Sequence, residues 1–336
     1  MISGSPPEAR WVRAEPRRTV PTPALLRLAH RAVGPCRILQ VEPLLGGLRN
    51  TNFRIQIDTS PDWLVVRLYE HDASLCQKEL DLFRFVARSV PVPSVLYAEP
   101  EGFDDVPPFA VLQFVEGITF QDLKHRGDFV ALAEGAFSVG GILAAIHRFT
   151  FPKPGWLAPG LSVTPQILEG ANPIPRFVDQ CLASANLRRR MREEQRDRTH
   201  AMVWSRASQL ASIEHEAHLV HGDFGKRNLL MRPERGQWSI SAVLDWEFAV
   251  SGSPLIDLGH FLRYERHSHP LLEPHFSRGY LQSGGTLPHD WRPLARLADL
   301  VALCGSLTHD QLPDPVVGEL LELINATVEN RDHQLS

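Results

Sequence analysis

The spacing of apolar positions along the chain changes period twice. TPALLRLAHRAV (22–33) repeats at helical spacing and predicts a short helix, with Thr22 as a candidate N-cap and Pro23 at the first helical position. VEPLLGG, NFRIQI and WLVVRLYE follow, and their short Val-, Ile- and Leu-rich runs predict strands, the first two joined by a glycine-containing turn. SLCQKELDLFRFVARS returns to a helical period, with apolar residues at 75, 76, 80, 82, 83, 85 and 86 and charges on the other face. VPVPSVLYAE and PFAVLQFVEG read as two more extended segments.

The second part of the chain has a different rhythm. FVALAEGAFSVGGILAAIHRF (129–149) predicts a long, mostly apolar helix, which carries Gly135, Gly140 and Gly141 at a cost in propensity. FPKPGWLAPGLSVTP is a Pro- and Gly-rich connector, and residues 175–215 contain polar helices. The run RRRMREEQRDR mixes signs, which marks a solvated helix face rather than a nucleic-acid patch. Short strands return in LVHGD, NLLMR and WSISAVLDW, and 255–330 is helical again. The pattern predicts a small strand-rich unit followed by a larger helical one with a strand pair in its middle.

Composition narrows this picture. At roughly 150 residues per domain, 336 residues make one large or two ordinary domains. A net charge of −4 argues against nucleic acid as a partner. Cys36, Cys76, Cys181 and Cys304 are dispersed without a CxxC pair, which excludes a zinc ribbon or disulfide framework and fits a reducing compartment. The chain reads as lacking an apolar run of the roughly 18 residues that span a bilayer, and its charged, Pro-rich start has no signal-peptide core. The expectation is a cytoplasmic protein with no membrane partner, whose residues 1–21 form a loose arm.

The densest chemistry lies in LVHGDFGKRNLLM (219–231), where a His, an Asp, a Lys, an Arg and an Asn fall between apolar dipeptides. Asn228 follows Asp223 by five positions, so a compact loop can turn a carboxylate and an amide oxygen to one site. Asp245 closes the strand WSISAVLD. If that strand pairs with NLLMR, Asn228 and Asp245 share one end of a hairpin. Their oxygens suit a hard cation such as Mg²⁺, which uses few protein ligands and completes its shell with water and phosphate. Asp223 is then available to orient a hydroxyl and accept its proton.

HGDFGKRN resembles the H-G-D-x-x-x-x-N loop of the aminoglycoside phosphotransferase and choline kinase families, itself related to the H-R-D-x-x-x-x-N loop of protein kinases. LDWEFAVSGSPLIDLG (244–259) resembles their second signature, a metal-binding Asp followed by G-x-P-x-x-D. The resemblance implies an α+β, bilobal, protein-kinase-like fold: a small antiparallel-sheet lobe with one main helix over 22–115, and a larger, mostly helical catalytic lobe over 116–336. It implies Asp223 as catalytic base, Asn228 and Asp245 as Mg²⁺ ligands, and His221 and Asp257 as scaffold. Glu247 is left between a metal partner and a salt bridge, and Lys226 and Arg227 between phosphate and the surface.

In the first lobe, Gly46, Gly47 and Asn50 resemble the family's G-G-x-x-N phosphate turn. Arg67 stands where this fold usually has Lys, in the V-x-R form of related small-molecule kinases, with Glu79 as its acidic partner. Gln113, Phe114 and Val115 fall at the hinge that would pair with the purine edge of ATP or GTP. From Asp257 onward there are 11 Asp and Glu against 6 Lys and Arg, which suits a cationic acceptor. Glu265, His267, Asp310 and Asp314 are its candidate contacts. The implied activity is Mg-dependent phosphoryl transfer to a small-molecule hydroxyl by a monomer or homodimer, of aminoglycoside type and with a role in antibiotic resistance. A choline, homoserine or sugar kinase and a nucleotide-binding pseudokinase are the alternatives. A protein kinase is disfavoured, because no A-P-E segment or activation loop follows Asp245.

Overall fold

The computed structural model describes residues 20–44, 50–164, 170–265 and 271–329. The strand-rich part consists of α1 (Thr22–Val33), β1 (Ile38–Pro43), β2 (Thr51–Ile57), β3 (Ser60–Leu68), α2 (Ser74–Val86), β4 (Val95–Glu99) and β5 (Phe109–Gln113). Its strands form one antiparallel sheet in the order β1-β2-β3-β5-β4. Alternation in β2 buries Thr51, Phe53, Ile55 and Ile57 on one face, and Leu25 and Leu28 of α1 pack into the same cluster. The helix begins at Thr22 itself, behind Pro21 and without a side-chain cap. The expected Thr22 cap is therefore not made. On α2, Leu80, Phe83 and Val86 join the main core while Lys78 and Glu79 are buried beside them.

The helical part holds β6 (Ile118–Thr119), α3 (Phe120–His125), α4 (Phe129–His147), β7 (Gly155–Leu157), β8 (Val163–Thr164), α5 (Pro173–Ala183), α6 (Ala185–Arg190), α7 (Glu193–Ser205) and α8 (Ala207–Ala211). It continues with β9 (His218–Val220), β10 (Leu229–Glu234), β11 (Gln237–Val243), β12 (Val250–Gly252), α9 (Leu255–Leu262), α10 (Glu273–Gln282), α11 (Trp291–Ser306) and α12 (Asp314–Val328). The expected hairpin is β10–β11, extended by β6 into a three-stranded sheet. A second sheet, β8-β7-β12-β9, draws two strands from the Pro- and Gly-rich connector. The expectation of a single strand pair is thereby corrected. Strands of two or three residues are too short to show an alternating pattern.

The sequence reading is also corrected at α4, which is long and apolar enough to span a bilayer by length and composition. In the fold it lies against α10, with Leu143, Ala144 and Ile146 buried. The glycines counted against this helix explain how. A Cβ on Gly140 would sit 2.0 Å from the Phe276 carbonyl oxygen, and one on Gly279 of α10 would sit 2.0 Å from that of Phe137. The two backbones touch through glycine on both sides. Asp128 caps α4 by accepting the amides of Val130 and Ala131 at 3.0 and 3.1 Å.

Gly140→Ala is accordingly expected to force the helices apart and cost about 2–3 kcal/mol. Gly318→Ala, on an exposed stretch of α12 with open space around it, is expected to stabilise by up to about 1 kcal/mol. Urea denaturation midpoints measure both. Equal midpoints for the two variants would contradict the packing account.

Candidate active site

β9 and β10 frame the loop 221–228, and buried polar groups hold its shape. The amides of His221 and Gly222 donate to the two oxygens of Asp257, at 2.7 and 2.9 Å. Asp257 lies in the first turn of α9 and is fully buried. His147, at the end of α4, lies 3.3 Å from Asp257 Oδ2 through Nε2 and 2.9 Å from the Tyr280 hydroxyl through Nδ1. A carboxylate can only accept, so Nε2 carries the proton and Nδ1 accepts from Tyr280. Burial keeps this imidazole below its ordinary pKa and neutral. The sequence reading missed His147, for which the only signal was a His closing an apolar helix.

His221 is scaffold in the same sense. Its Nε2 lies 3.0 Å from the Leu244 carbonyl, its Nδ1 accepts the Asp223 amide at 3.3 Å, and its ring packs on Trp246. Gly222 has φ +79°, and a Cβ there would come within 2.3 Å of the Phe248 carbonyl, so only glycine fits this turn. Lys226 is buried and donates to the Phe261 carbonyl at 2.8 Å, so it is neither a surface group nor aimed outward at phosphate.

Asp223 is held at the mouth of the loop. Asn228 Nδ2 donates to Asp223 Oδ2 at 2.8 Å and to its carbonyl at 2.9 Å, which leaves Asn228 Oδ1 to face another partner. His260 of α9 brings Nε2 to 3.4 Å from Asp223 Oδ1. Sequence reasoning did not single out His260. It directly follows the segment LDWEFAVSGSPLIDLG (244–259). Burial, then the positive charges of Arg263 and Lys226, hold it well below the usual histidine range and neutral. Although 36% of the Asp223 side chain is exposed, burial of the carboxyl group and then the charge of Asp245 push its pKa up to about 7, against the opposing bond from Asn228.

Asp245 stands beside this loop because the Leu244 amide donates to the Asn228 carbonyl at 2.8 Å, at the end of the β10–β11 hairpin. It adopts φ +65°, a left-handed conformation that an L-residue takes at a cost of about 1 kcal/mol or more. Arg67 of β3 donates to Asp245 Oδ1 at 2.6 Å, and its Nε lies 2.9 Å from Glu79 Oε2, an ion contact without hydrogen-bond alignment. Tyr69 also donates its hydroxyl to Glu79. Burial alone would lower the Arg67 pKa, but the Glu79 and Asp245 carboxylates outweigh it and keep the guanidinium charged.

Three consecutive residues thus meet the first sheet and its helix. Asp245 takes Arg67, the Trp246 amide donates to Glu79 Oε1 at 3.1 Å, and Glu247 takes two partners. Its carbonyl accepts Lys78 Nζ at 2.8 Å, and its carboxylate accepts the Asn50 side-chain amide at 2.9 Å. Burial lowers the Lys78 pKa to about 8.

Other expected residues fare differently. Gly46, Gly47 and His267 lie outside the described residues. The amides of Gln113 and Phe114 donate to the carbonyls of Ser94 and Trp63, both at 2.9 Å, so the sheet uses two of the expected hinge donors. Glu265 accepts the Glu273 amide at 2.8 Å on one oxygen, and its other oxygen is buried without a partner. Asp310 is engaged elsewhere, by Asn186 at 2.7 Å, beside Arg190, which donates to the carbonyls of Leu307, His309 and Asp310. Asp314 is exposed at the start of α12. Among the described residues neither Asp310 nor Asp314 makes a hydrogen bond or ion pair with the 221–228 loop, and Asp310 sits where α6 meets the α11–α12 connection.

Among the described residues no group of three or more His, Cys, Asp or Glu side chains converges as a metal cage. Asn228 Oδ1 and the second oxygen of Asp245 instead offer two hard donors, a set that fits a cation whose remaining ligands are phosphate and water.

The model of the phosphotransferase enzyme family matches residues 40–297. A variant of aminoglycoside phosphotransferase APH(4)-Ia, solved with ADP and hygromycin B, superposes with a TM-score of 0.64 at 18% identity, over 91% of this chain and 98% of that one. The GDP complex of wild-type aminoglycoside 2'-phosphotransferase-IIIa gives 0.63 at 19% identity, over 91% and 97%. A putative fructosamine-3-kinase from Thermobifida fusca gives 0.59 at 18%, over 91% and 99%. The fold is therefore kinase-like. Among curated proteins, acyl-CoA dehydrogenase family member 11 of Homo sapiens is 42% identical over 52 residues, 16% of this chain and 6% of that protein. Its Rattus norvegicus counterpart is 35% identical over 80 residues, 24% of this chain and 10% of that one. The chain spans at most a tenth of these curated relatives.

Removing the guanidinium should be costly. Arg67→Met leaves two carboxylates facing each other in a nearly closed gap and is expected to destabilise by about 3–5 kcal/mol. Tyr69→Phe removes one bond to Glu79 and should cost about 1 kcal/mol. If chemical denaturation ranks the two equally, Arg67 is not the group that holds this gap together.

Proposed function

The chain belongs to the phosphotransferase enzyme family, and we propose that it moves the terminal phosphoryl group of ATP or GTP, with Mg²⁺, to a hydroxyl of an amino-bearing small molecule. The observation that carries this reading is the placement of Asp223, held by Asn228 on one oxygen and faced by His260 on the other. In this reading Asp223 orients the acceptor hydroxyl and takes its proton. A pKa near 7 makes it a better base than an ordinary carboxylate. Asn228 and Asp245 hold the cation, which when bound neutralises charge on the nucleotide phosphates.

Arg67 stands on the nucleotide side as the cation for the nucleotide phosphates, with the buried Glu79 as its anchor and Asp245 as its second partner. Purine recognition falls to the hinge groups that the sheet leaves over, through Val115. The division of labour is that of a nucleotide lobe through residue 115 and a catalytic lobe after it.

The acceptor assignment rests on charge and space. A cavity of about 320 Å³ opens between α9, α11 and α12, lined by Glu265, Glu273 and Asp299 together with Arg263, Arg292 and Arg296. Two of these acids are already paired, Asp299 with Arg263 and Glu273 with Arg292, so the amino-bearing acceptor rests on the excess of acids after Asp257. Modification of an aminoglycoside, as a resistance function in the cytoplasm, is the form of this reading closest to the APH(4)-Ia neighbour, which was solved with hygromycin B. A metabolic amino-sugar or sugar acceptor is the second form, favoured by the likeness to the putative fructosamine kinase. A pseudokinase is disfavoured, because Asp223, Asn228 and Asp245 are all present around one loop.

Asp223→Asn is expected to lower kcat by about a hundred- to ten-thousandfold while leaving nucleotide affinity within a factor of about three, because binding and proton transfer use different groups. The assay is ATP and GTP turnover with hygromycin B, kanamycin, a fructosamine and choline as acceptors. Near-normal turnover in the variant would remove Asp223 from the chemistry. No turnover by the wild type with any acceptor, with nucleotide binding retained, would leave the nucleotide-binding pseudokinase.

A further inference from the structure

The Asn50–Glu247 hydrogen bond has no part in proton transfer, yet it joins residues 197 positions apart, both nearly sealed from solvent, with 6% and 4% exposure. A buried carboxylate needs donors. Glu247 has one in the Asn50 amide, while its own carbonyl receives Lys78 at 2.8 Å. Asn50 immediately precedes β2, and Glu247 lies two residues beyond Asp245 on the other side of the cleft. The side-chain amide of Asn50 thus reaches the opposite wall of the cleft.

We infer that Asn50 and Glu247 are positioning residues that set the spacing between the root of β2 and the acid Asp245, and so fix where a Mg-nucleotide is bound. This rests on the reading of Asp245 as a cation-holding group. It also assigns Glu247, which the sequence left between a metal partner and a salt bridge, to a role through Asn50 and Lys78. The coupling is polar and directional, because the amide donates and the carboxylate accepts. Reversing both partners therefore preserves the bond, whereas replacing the donor Asn50 alone with a second carboxylate destroys it.

That asymmetry supplies the test. Asn50→Asp sets two buried carboxylates against each other. It is expected to weaken MgAMP-PNP or MgGMP-PNP binding about tenfold, with a smaller loss for the same nucleotide without Mg²⁺. Glu247→Gln keeps an accepting oxygen and should stay within about threefold of wild type. In the double variant N50D/E247Q the glutamine amide donates to the new carboxylate, and affinity should return to within about threefold of wild type. Calorimetry reads the binding, and thermal melting on the same samples reads folding. Three results overturn the inference: an Asn50→Asp variant that binds Mg-nucleotide as well as wild type, a double variant no better than Asn50→Asp, or losses confined to melting temperature. A wild-type chain that binds neither nucleotide overturns the functional reading and this inference with it. Nucleotide binding without coupling overturns the inference alone.

Discussion

One guanidinium neutralises carboxylates from both sides of the cleft. Arg67 lies between Glu79 of α2 and Asp245 at the end of the hairpin, and each acid would be unsupportable there without it. Charge in a low-dielectric gap is tolerated only when paired and hydrogen-bonded. Tyr69 and the Trp246 amide donate to Glu79, Asn50 donates to the Glu247 carboxylate, and Lys78 donates to the Glu247 carbonyl. The segment 245–247 is therefore held residue by residue, and this allows Asp245 to keep a left-handed backbone beside Asp223.

The 221–228 loop depends on a second buried chain of bonds that runs back into the helices. Tyr280 and His147 fix one oxygen of Asp257, and Asp257 fixes the amides of His221 and Gly222. Tyr280 is on α10 and His147 on α4, the two helices whose backbones meet at Gly140 and Gly279. A helix crossing that looks purely structural thus sets the position of the loop that carries Asp223. Close packing there is a condition of the site's geometry.

Much of this was legible in the sequence, and the rest was hidden for physical reasons. The 221–228 loop and Asp245 could be read because their chemistry is local: five positions separate Asp223 from Asn228, and a hairpin brings Asp245 alongside. Arg67 and Glu79 followed from the resemblance. His260, His147 and the Asn50–Glu247 pair could not be read, since their partners are set by tertiary packing that leaves no periodic trace. The glycines of α4 counted as a penalty when only helix propensity was weighed, and their reason appears with the neighbouring backbone. Asp310 and Asp314 were chosen by charge alone. Acidic composition does not say which way a carboxylate points, and the structure puts both at another corner.

The central claim is that Asn228 and Asp245 hold a divalent cation together with nucleotide phosphates. Electron paramagnetic resonance of Mn²⁺ in the presence of ADP tests it most directly. The account predicts one tightly bound Mn²⁺ per chain that requires ADP and broadens when the phosphate oxygens carry ¹⁷O. It also predicts that this signal disappears in Asp245→Ala. An equally tight, ADP-dependent Mn²⁺ signal in Asp245→Ala would contradict it.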